Sequence, residues 1–419
     1  MSNKHILFID MNETSHGLKA LKKAKELNYS ITFFTSGLEF YKESTIMEAL
    51  PCINQLVKID THNNLDILVN EAQKINNIKK IDGVYASSDT EILAAAKVCD
   101  ALGLKGNSYD AVLKCRNKYV MRKEISNTNL KQPEFIIISS LKEVEEAVEH
   151  FISRGKKFPL IFKPVDSTAS DGVKLVHSIE DIIESVKQHY NSLHITRGFY
   201  KSRDIVLEEY INGNLYSAEV ILTPNKIEFL GFTDRKLTPP PKFVELDGSY
   251  PYEFKEELNI KSYILNVIQS LGLTFGACHI EFLMNEDNQP VLVEVNPRLA
   301  GFTISSIISR CRNVDIIEQL VRLHVDEEYN FGRNNVGTGY FKVISPSKAG
   351  IYKGYKGNPY PNENLIDFKI SMPVNSYLTN KPGSNRDLLG VVTTFGNNKS
   401  EAVENCENVL RNVKIIVNS

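Results

Sequence analysis

The sequence predicts an α/β protein with a Rossmann-like N-terminal domain, a larger central domain and a small strand-rich C-terminal subdomain. Two observations predict this class. Apolar strand patterns alternate with helix patterns at the start of the chain, and longer, more closely spaced strands follow from residue 216 onward. The 419 residues, 42% of them hydrophobic and 24% charged, suffice for two or three domains with a large core.

The charge balance and the cysteines exclude several classes of protein. Lysine and arginine total 49 against 51 aspartate and glutamate residues, so no general attraction to nucleic acid or anionic membranes is expected. The six cysteines include no CxxC pair, which argues against a disulfide framework or a zinc module. The N-terminus lacks a signal-peptide pattern, and no segment approaches the roughly 18 to 20 apolar residues of a membrane span. We therefore expect a cytoplasmic protein.

The N-terminal domain is predicted over residues 1–108. Its strand patterns HILFID, ITFFTSG, INQLVKID and DGVYASS alternate with helices, one of them polar and near 64–76, and another ending at the GLKG turn. The first strand is followed by DMNETSHG, which lacks the glycine spacing of a dinucleotide fingerprint. An NAD-dependent oxidoreductase is therefore disfavoured.

The central domain is predicted over residues 109–330. It opens with one helix, YDAVLKCRNKYVMRKEIS, and continues through the strands PEFIIIS, PLIFKP, GVKLV, DIVLEEYI, YSAEVILTP and KIEFLGFTDRKL. A helix near 255–271 leads into a hairpin, and one long helix is predicted over about 303–324. Residues 331–419 show four short strand patterns and a helix near 400–413, which predicts an α+β subdomain.

The predicted hairpin, HIEFLM and VLVEVN joined by NEDNQP, carries polar residues at its centre. Closing it with Met284 opposite Val291 places Glu281 opposite Glu294, and Asn296 shares the face of Glu294. The other face is wholly apolar: Ile280, Phe282, Met284, Val291, Val293 and Val295. Opposed carboxylates repel unless a cation lies between them, and oxygen ligands alone are typical of magnesium. A solvated hairpin face is the alternative interpretation.

Three further segments carry candidate residues. In LIFKPVDSTASDGVKLV, Lys163 precedes a hydroxyl-rich loop with Ser167, Thr168, Ser170 and a single glycine, which can wrap phosphates or form a plain surface turn. Lys118 lies on a predicted helix, where a solvated lysine is common. The pair Glu208 and Glu209 ends an apolar strand before an Asn-Gly turn, and is interpreted either as a polar strand end or as a hinge whose backbone pairs with adenine.

The order of these segments, with E-x12-E-x-N-P-R last, resembles the ATP-grasp superfamily of carboxylate-amine ligases, and within it the L-amino-acid ligases that make dipeptides. The resemblance implies an ATP-grasp fold, a lid over about 130–207, and the cofactors ATP and two magnesium ions, or Mn²⁺. Small-molecule substrates are the implied partners, and the resemblance is compatible with a homodimer.

The resemblance also implies roles for individual residues. Lys118 and Lys163 contact the α- and β-phosphates, and Arg298 holds the γ-phosphate and the reacting carboxylate. The implied ATP-binding residues are Lys118, Lys163, Ser167, Thr168, Ser170, Glu208, Glu209, Tyr210 and Ile211. The implied metal ligands are Glu281, Glu294 and Asn296, the implied catalytic residues are Arg298 and Lys163, and the implied substrate contacts are Glu245, Arg298, Gly301 and Phe302. An exposed loop carboxylate is the alternative for Glu245.

The sequence also departs from relatives at three places. Leu215 stands where many relatives carry a glutamate for the ribose hydroxyls. Gly172 is the single glycine of the hydroxyl-rich loop after Lys163, here called the phosphate loop. Gly248 and Ser249 stand where relatives can carry a histidine near the first substrate. We expect an ATP-dependent ligase that joins two amino acids through an acyl phosphate. The alternatives are an ATP-grasp ligase or carboxylase acting on another carboxylate, and a non-catalytic nucleotide-binding protein.

Overall fold

The computed structural model describes residues 4–11, 13, 16–193, 198–301, 303–346, 348–360 and 363–418. The first part is the predicted Rossmann-like layer, a parallel sheet in the order β3-β2-β1-β4 with helices between its strands. Strands β1, β2 and β4 are buried along almost their whole length, whereas β3, at one edge of the sheet, is mostly exposed. The elements are β1 His5–Ile9, α1 Gly17–Glu26, β2 Ser30–Thr35, α2 Glu43–Ala49, β3 Gln55–Lys58, α3 Leu65–Ile78, β4 Gly83–Tyr85 and α4 Ile92–Leu102.

Two helices predicted as continuous are each broken in two. Asn117 separates α5 Tyr109–Arg116 from α6 Lys118–Ser126, because its extended backbone lets its side chain cap the second helix. Asn313 ends α10 Ile304–Arg312 in the left-handed region, at φ 51°, and Asp315 then caps α11 Ile316–His324. The predictions of single helices over 109–126 and 303–324 were therefore wrong, because local capping interrupts the apolar period.

A four-stranded antiparallel sheet, here called the lid sheet, occupies the region predicted as a lid. Its order is β5-β8-β6-β7, and the two helices α7 and α8 pack on it around their own apolar core. The elements are β5 Phe135–Ile138, α7 Val144–Ser153, β6 Leu160–Pro164, β7 Lys174–Val176, α8 Ile179–Tyr190 and β8 Ile205–Glu209. The separate core makes this region a compact unit that can carry the phosphate loop.

The central sheet has eight strands in the order β13-β12-β9-β10-β11-β14-β18-β16. Its first members are β9 Gly213–Thr223, β10 Lys226–Leu237, β11 Glu245–Tyr250, β12 Gly276–Asn285 and β13 Pro290–Asn296, with α9 Glu257–Leu271 packed against them. The remaining members come from the C-terminal region: β14 Thr338–Ile344, β16 Leu365–Ile370 and β18 Gly390–Gly396. The C-terminal region therefore extends the central sheet through the pairing of β14 with β11.

The rest of the C-terminal region forms a second small sheet beside α12 Lys399–Arg411. Its order is β17-β15-β19, from β15 Gly350–Gly357, β17 Tyr377–Leu378 and β19 Val413–Asn418. The four strands and the helix predicted for residues 331–419 are present, whereas β17 and β19 were not predicted. Among the described residues, no helix is both long and apolar enough to cross a membrane.

Candidate active site

The β12–β13 hairpin places Glu281 opposite Glu294, as predicted, but by a different register at its turn. Met284 faces Pro290 and Val291 faces Leu283, and a bulge after Glu281 restores the expected pairing. The predicted Met284–Val291 pair was therefore wrong. Because of the bulge, Leu292 packs in the core with Phe282, Ile280 and Val295, where Val291 and Val293 were expected, and all three of residues 291–293 line the cleft.

Residues of this hairpin and of the lid sheet line a cleft with a cavity of about 990 Å³. Every described residue that the sequence analysis selected lines this one cavity. They are Lys118, Lys163, Ser167, Thr168, Ser170, Glu208, Glu209, Tyr210, Ile211, Glu245, Glu281, Glu294, Asn296, Arg298 and Gly301. Phe302, predicted as a substrate contact, lies outside the described residues. The fold therefore brings together residues that are up to 183 positions apart in the chain, from Lys118 to Gly301.

One end of the cleft, here called the cationic end, holds Glu208 between two cations. Arg122 Nε donates to Glu208 Oε1 at 2.8 Å, and Lys163 Nζ donates to Oε2 at 2.6 Å. Burial would raise the pKa of Glu208, but Arg122 and Lys163 lower it to about 2. Burial lowers the pKa of Lys163, and Glu208 partly offsets that shift. Glu208 lies at the end of β8, as the pattern indicated, and is nevertheless only 1% exposed.

Lys118 belongs to the same end and is also buried. Its Nζ donates to the Ser167 carbonyl at 2.8 Å and lies 3.7 Å from Glu294 Oε1. Because Asn117 caps α6, Lys118 is held at the first position of that helix, beside the phosphate loop. The interpretation of Lys118 as a solvated surface residue was therefore wrong.

The phosphate loop folds back over the cationic end. Ala169 and Ser170 adopt φ 57° and Gly172 adopts φ 76°, so three residues within four positions lie in the left-handed region. The Ser167 hydroxyl is buried and, like Arg122 Nη1, has no hydrogen-bond partner among the residues the structure describes. Buried donors without partners are costly unless a ligand satisfies them. These two donors fit a phosphate-binding role better than a plain surface turn.

The other end, here called the acidic end, is built around Glu281 and Arg235. Arg235 donates to Glu245 Oε1 at 2.7 Å and to Glu281 Oε1 at 2.5 Å. His279 lies 3.1 Å from Glu281 Oε1 and 2.8 Å from Glu219 Oε1. Burial would raise the pKa of Glu281, but Arg235 and His279 hold it well below its usual range. Burial would lower the pKa of His279, but Glu219 and Glu281 raise it to about 9.

Glu245 is 4% exposed and lies on β11, so the interpretation as an exposed loop carboxylate was wrong. The packing around Gly248 and Ser249 explains why neither position carries the histidine found in relatives. A side chain at Gly248 would place its Cβ 2.4 Å from the Asp234 carbonyl and 2.7 Å from the Phe341 ring. Ser249 is buried and donates to Asp234 Oδ1 at 2.6 Å. A histidine at 248 has no space in this packing.

Arg298 forms a two-bond ion pair with Asp89 of the N-terminal layer. The Nε–Oδ1 and Nη2–Oδ2 distances are 2.5 and 2.6 Å. Burial would lower the pKa of Arg298, but Asp89 raises it above its usual value. One polar atom of the Asn296 carboxamide lies 3.2 Å from both Glu294 Oε1 and Asp89 Oδ1, and that position suits nitrogen as a donor to both.

Four residues of the site were not predicted: Asp89, Arg122, Arg235 and His279. Arg235 on β10 contacts Glu245 on β11, and a single sequence does not show which strands pair. His279 lies two residues before Glu281 on β12, where its contact with Glu219 likewise depends on the neighbouring strand β9. Asp89 lay in SSDTEILAAAK, part of the stretch that carried the family resemblance, without being singled out. Leu215, 8% exposed, lines the cavity at the position discussed for ribose and offers no hydrogen-bonding group.

Two family models match this chain: an ATP-grasp domain over residues 156–306 and an ATP-grasp N-terminal domain over residues 21–106. The chain belongs to the ATP-grasp superfamily. The matched ranges cover β6, β7 and β8 of the lid sheet, the β12–β13 hairpin and most of the parallel layer. The fold of this ATP-grasp protein agrees with the fold class predicted from its sequence.

Curated relatives of this ATP-grasp protein are distant. An uncharacterised protein of Sinorhizobium fredii is 24% identical over 71% of this chain and 59% of its own length. Dapdiamide A synthase of Enterobacter agglomerans is 23% identical over 69% of this chain and 68% of its own length. The L-arginine-specific L-amino acid ligase of Bacillus subtilis is 20% identical over 71% of this chain and 70% of its own length. The first of these matches thus spans less than two thirds of the relative.

Solved structures extend the likeness over the whole ATP-grasp chain. An L-amino acid ligase from Bacillus licheniformis superposes with a TM-score of 0.81 at 19% identity, covering 100% of this chain and 99% of that one. A phosphoribosylglycinamide synthetase from Anaerococcus prevotii superposes with a TM-score of 0.71 at 18% identity, with both chains covered completely. At these identities the likeness establishes the fold.

Proposed function

We propose that this protein is an ATP-dependent carboxylate-amine ligase that joins two amino acids and releases ADP and phosphate. The observation that carries the proposal is the single cleft with buried cations at one end and opposed carboxylates beside Arg298 at the other. The phosphates of ATP require the buried cations, and the metal ions that accompany ATP require the opposed carboxylates. The names of the amino acid ligases among the relatives and neighbours support the amino-acid substrate class.

The cationic end is assigned to the phosphates of ATP. Lys118 and Lys163 supply positive charge, and the Ser167 hydroxyl and Arg122 Nη1 supply two donors that lack partners among the described residues. Backbone at residues 208–211, next to the apolar cavity wall at Leu215 and Leu283, is assigned to adenine. Leu215 excludes the carboxylate contact to ribose, so the ribose hydroxyls must be bound by another group.

The acidic end fits magnesium by the chemistry of its donors, which are all oxygens. Glu281 and Glu294 are opposed across the hairpin, and the Asn296 carboxamide lies beside Glu294, where a bound cation would favour the amide oxygen over the nitrogen. Arg235 and His279 keep the Glu281 carboxylate ionised, as metal binding requires. Bound Mg²⁺ would neutralise phosphate charge and orient the β- and γ-phosphates.

The reaction requires positioning rather than a nucleophilic side chain. A carboxylate oxygen of the first substrate attacks the γ-phosphorus, the bond from that phosphorus to the bridging oxygen breaks, and ADP leaves. The amine nitrogen of the second substrate then attacks the acyl carbon, loses a proton and displaces phosphate to give an amide. Arg298 holds the phosphoryl and carboxylate oxygens with its planar fork. Asp89 fixes the orientation of that fork before substrates arrive.

Glu245 is assigned to the amino group of the first substrate. Its carboxylate is oriented by Arg235, which also contacts Glu281, so one guanidinium aligns a substrate contact and a metal ligand. Gly301 lines the same part of the cleft. Gly248 leaves the neighbouring position without a side chain, so the identity of the first amino acid is set by a different wall from that of relatives with a histidine.

The test is phosphate release from ATP and magnesium with all pairs of common amino acids, with products weighed by mass spectrometry. We expect release that requires two amino acids and yields a dipeptide mass with ADP. Glu294→Ala should abolish it, whereas Glu286→Ala, in the turn of the same hairpin, should retain it. No release with any pair, while ATP still binds, would reject the dipeptide reaction and favour an ATP-grasp ligase acting on another carboxylate.

The assembly state is a separate prediction. The family resemblance is compatible with a homodimer, and light scattering coupled to size-exclusion chromatography measures it directly. A mass equal to that of one 47.3 kDa chain would contradict a homodimer.

A further inference from the structure

A second cluster of possible metal ligands lies in the N-terminal layer, apart from the β12–β13 hairpin. Asp10 directly follows β1, His62 follows β3, and Glu91 immediately precedes α4. One ligand atom from each residue lies within 4.8 Å of the others. All three lie at the carboxyl edge of the parallel sheet, where α/β proteins commonly bind ligands.

His62 is the unusual member of this cluster. Its side chain is 2% exposed, and neither Nδ1 nor Nε2 has a hydrogen-bond partner among the described residues. Its Nε2 lies 3.8 Å from Glu91 Oε1, which is too long for a hydrogen bond. A buried imidazole without hydrogen-bond partners destabilises the folded protein unless a bound ligand contacts its nitrogens.

The surrounding residues hold Asp10 in a fixed orientation. The Tyr41 hydroxyl donates to Asp10 Oδ1, and Thr61 Oγ1 donates to Oδ2 at 2.8 Å. The Ser36 backbone nitrogen lies 3.4 Å from the same Oδ2. Metal-ligating carboxylates are typically oriented by such hydrogen bonds from an outer layer of residues.

We propose that Asp10, His62 and Glu91 form a binding site for a divalent transition-metal ion of the zinc class. One nitrogen and two carboxylate oxygens are a ligand set that zinc accepts, with a fourth position left for water. Bonds of about 2.1 Å in a tetrahedron place ligand atoms about 3.4 Å apart, so only small rotamer adjustments are needed. The nitrogen ligand distinguishes this site from the all-oxygen magnesium site at Glu281 and Glu294.

The ion would connect three segments of the sheet edge and fix the start of α4. Asp89, which orients Arg298, lies two residues before Glu91. Metal binding at this cluster therefore positions the partner of Arg298 without contacting substrate. The competing explanation is that the three side chains contact one another directly and no metal binds.

The experiment uses the full chain after chelator treatment, without nucleotide. Zinc binding is measured by titration calorimetry and by elemental analysis after gel filtration, and Co²⁺ is added to the wild type as a spectroscopic probe. The variants are His62→Gln, Glu294→Gln and His150→Gln. His150 is a suitable control because it also lies beside a glutamate, Glu134, at 2.9 Å.

We expect one zinc per chain in the wild type and the visible Co²⁺ spectrum of a four- or five-coordinate site. His62→Gln should weaken zinc binding about 100-fold or more, while Glu294→Gln and His150→Gln retain it. Zinc binding that His62→Gln leaves unchanged, or an octahedral Co²⁺ spectrum in the wild type, would overturn the proposal. The Co²⁺ spectrum decides the matter even if His62→Gln fails to fold, and neither readout depends on ligase activity.

Discussion

The two ends of the cleft are built from opposite charge. At the cationic end, Lys118, Arg122 and Lys163 surround the single buried carboxylate Glu208. At the acidic end, the cavity is lined by four carboxylates, which outnumber the guanidinium groups and the one imidazole beside them. The carboxylates are Asp89, Glu245, Glu281 and Glu294, and the cations are Arg235, Arg298 and His279. Each end therefore carries the charge opposite to that of its proposed ligand, which is phosphate at the cationic end and metal with ammonium at the acidic end.

The acidic end is expected to show the largest effect on the reaction. Arg298→Lys keeps the charge and removes the planar fork that bonds to Asp89, so we expect kcat for phosphate release to fall about 1000-fold. Steady-state kinetics with saturating ATP measures it. Arg154→Lys on the lid sheet, where Arg154 pairs with Glu134, is the control. A fall of less than tenfold would show that Arg298 does not act on the transferred phosphoryl group.

The stability of the acidic end is expected to depend on His279. Its folded pKa of about 9 lies above the unfolded value near 6.5, so its stabilisation is complete below pH 6.5 and is lost as pH rises through 9. His279→Gln should therefore lower the free energy of unfolding by roughly 3 kcal/mol at pH 6.5, with the difference from wild type vanishing above pH 9. Urea unfolding across this pH range tests it.

His189→Gln provides the matched control for that pH profile. Burial lowers the pKa of His189, so its stabilisation is present above the unfolded pKa and is lost as pH falls below it. The two variants should therefore differ from wild type in opposite pH windows. Identical profiles for both variants would contradict the charged state assigned to His279.

The cationic end offers a pair of adjacent glutamates for comparison. Lys163 contacts the buried Glu208, whereas Lys156 contacts Glu209 at 2.6 Å and is 38% exposed on its side chain. Lys163→Met should weaken ATP binding roughly 100-fold, because it removes a buried charge beside the phosphate loop. Lys156→Met should change it less than about threefold. Titration of ATP into both variants measures the difference, and equal effects would reject a phosphate role for Lys163.

The smallest expected effect concerns the helix cap before Lys118. Asn117→Ala and Asn398→Ala each remove an N-cap side chain, and each should lower the free energy of unfolding by about 1 kcal/mol. Asn117→Ala should also weaken ATP binding, because the cap fixes Lys118 beside the phosphate loop. Chemical unfolding and ATP titration are measured on both variants. Equal ATP affinities would show that the position of Lys118 does not depend on its cap.

The sequence predicted the parts of the fold that depend on local pattern. The parallel layer, the lid strands and the opposition of Glu281 and Glu294 follow from period-two and helical patterns that neighbouring residues set. The two broken helices and the hairpin bulge did not follow, because a cap at Asn117 or Asp315 and one extra residue in a strand change the backbone without changing the apolar pattern.

The ion pairs of the cleft could not be predicted from the sequence, for a different reason. Arg298 meets Asp89, 209 positions away, and Arg122 meets Glu208, 86 positions away. No local pattern encodes which charged residues meet, because the partner depends on how the sheets pack.

The order of the lysines, the hinge and the E-x12-E-x-N-P-R motif can be read from the chain alone, and this order indicates the family and the candidate residues. The burial of Lys118, Glu208 and Glu245, and the charge that neutralises each of them, depend on the tertiary structure. It also joined the C-terminal strands to the central sheet and brought Asp10, His62 and Glu91 together. Motif order is a property of the chain alone, whereas burial and charge pairing arise where distant segments pack and exclude water.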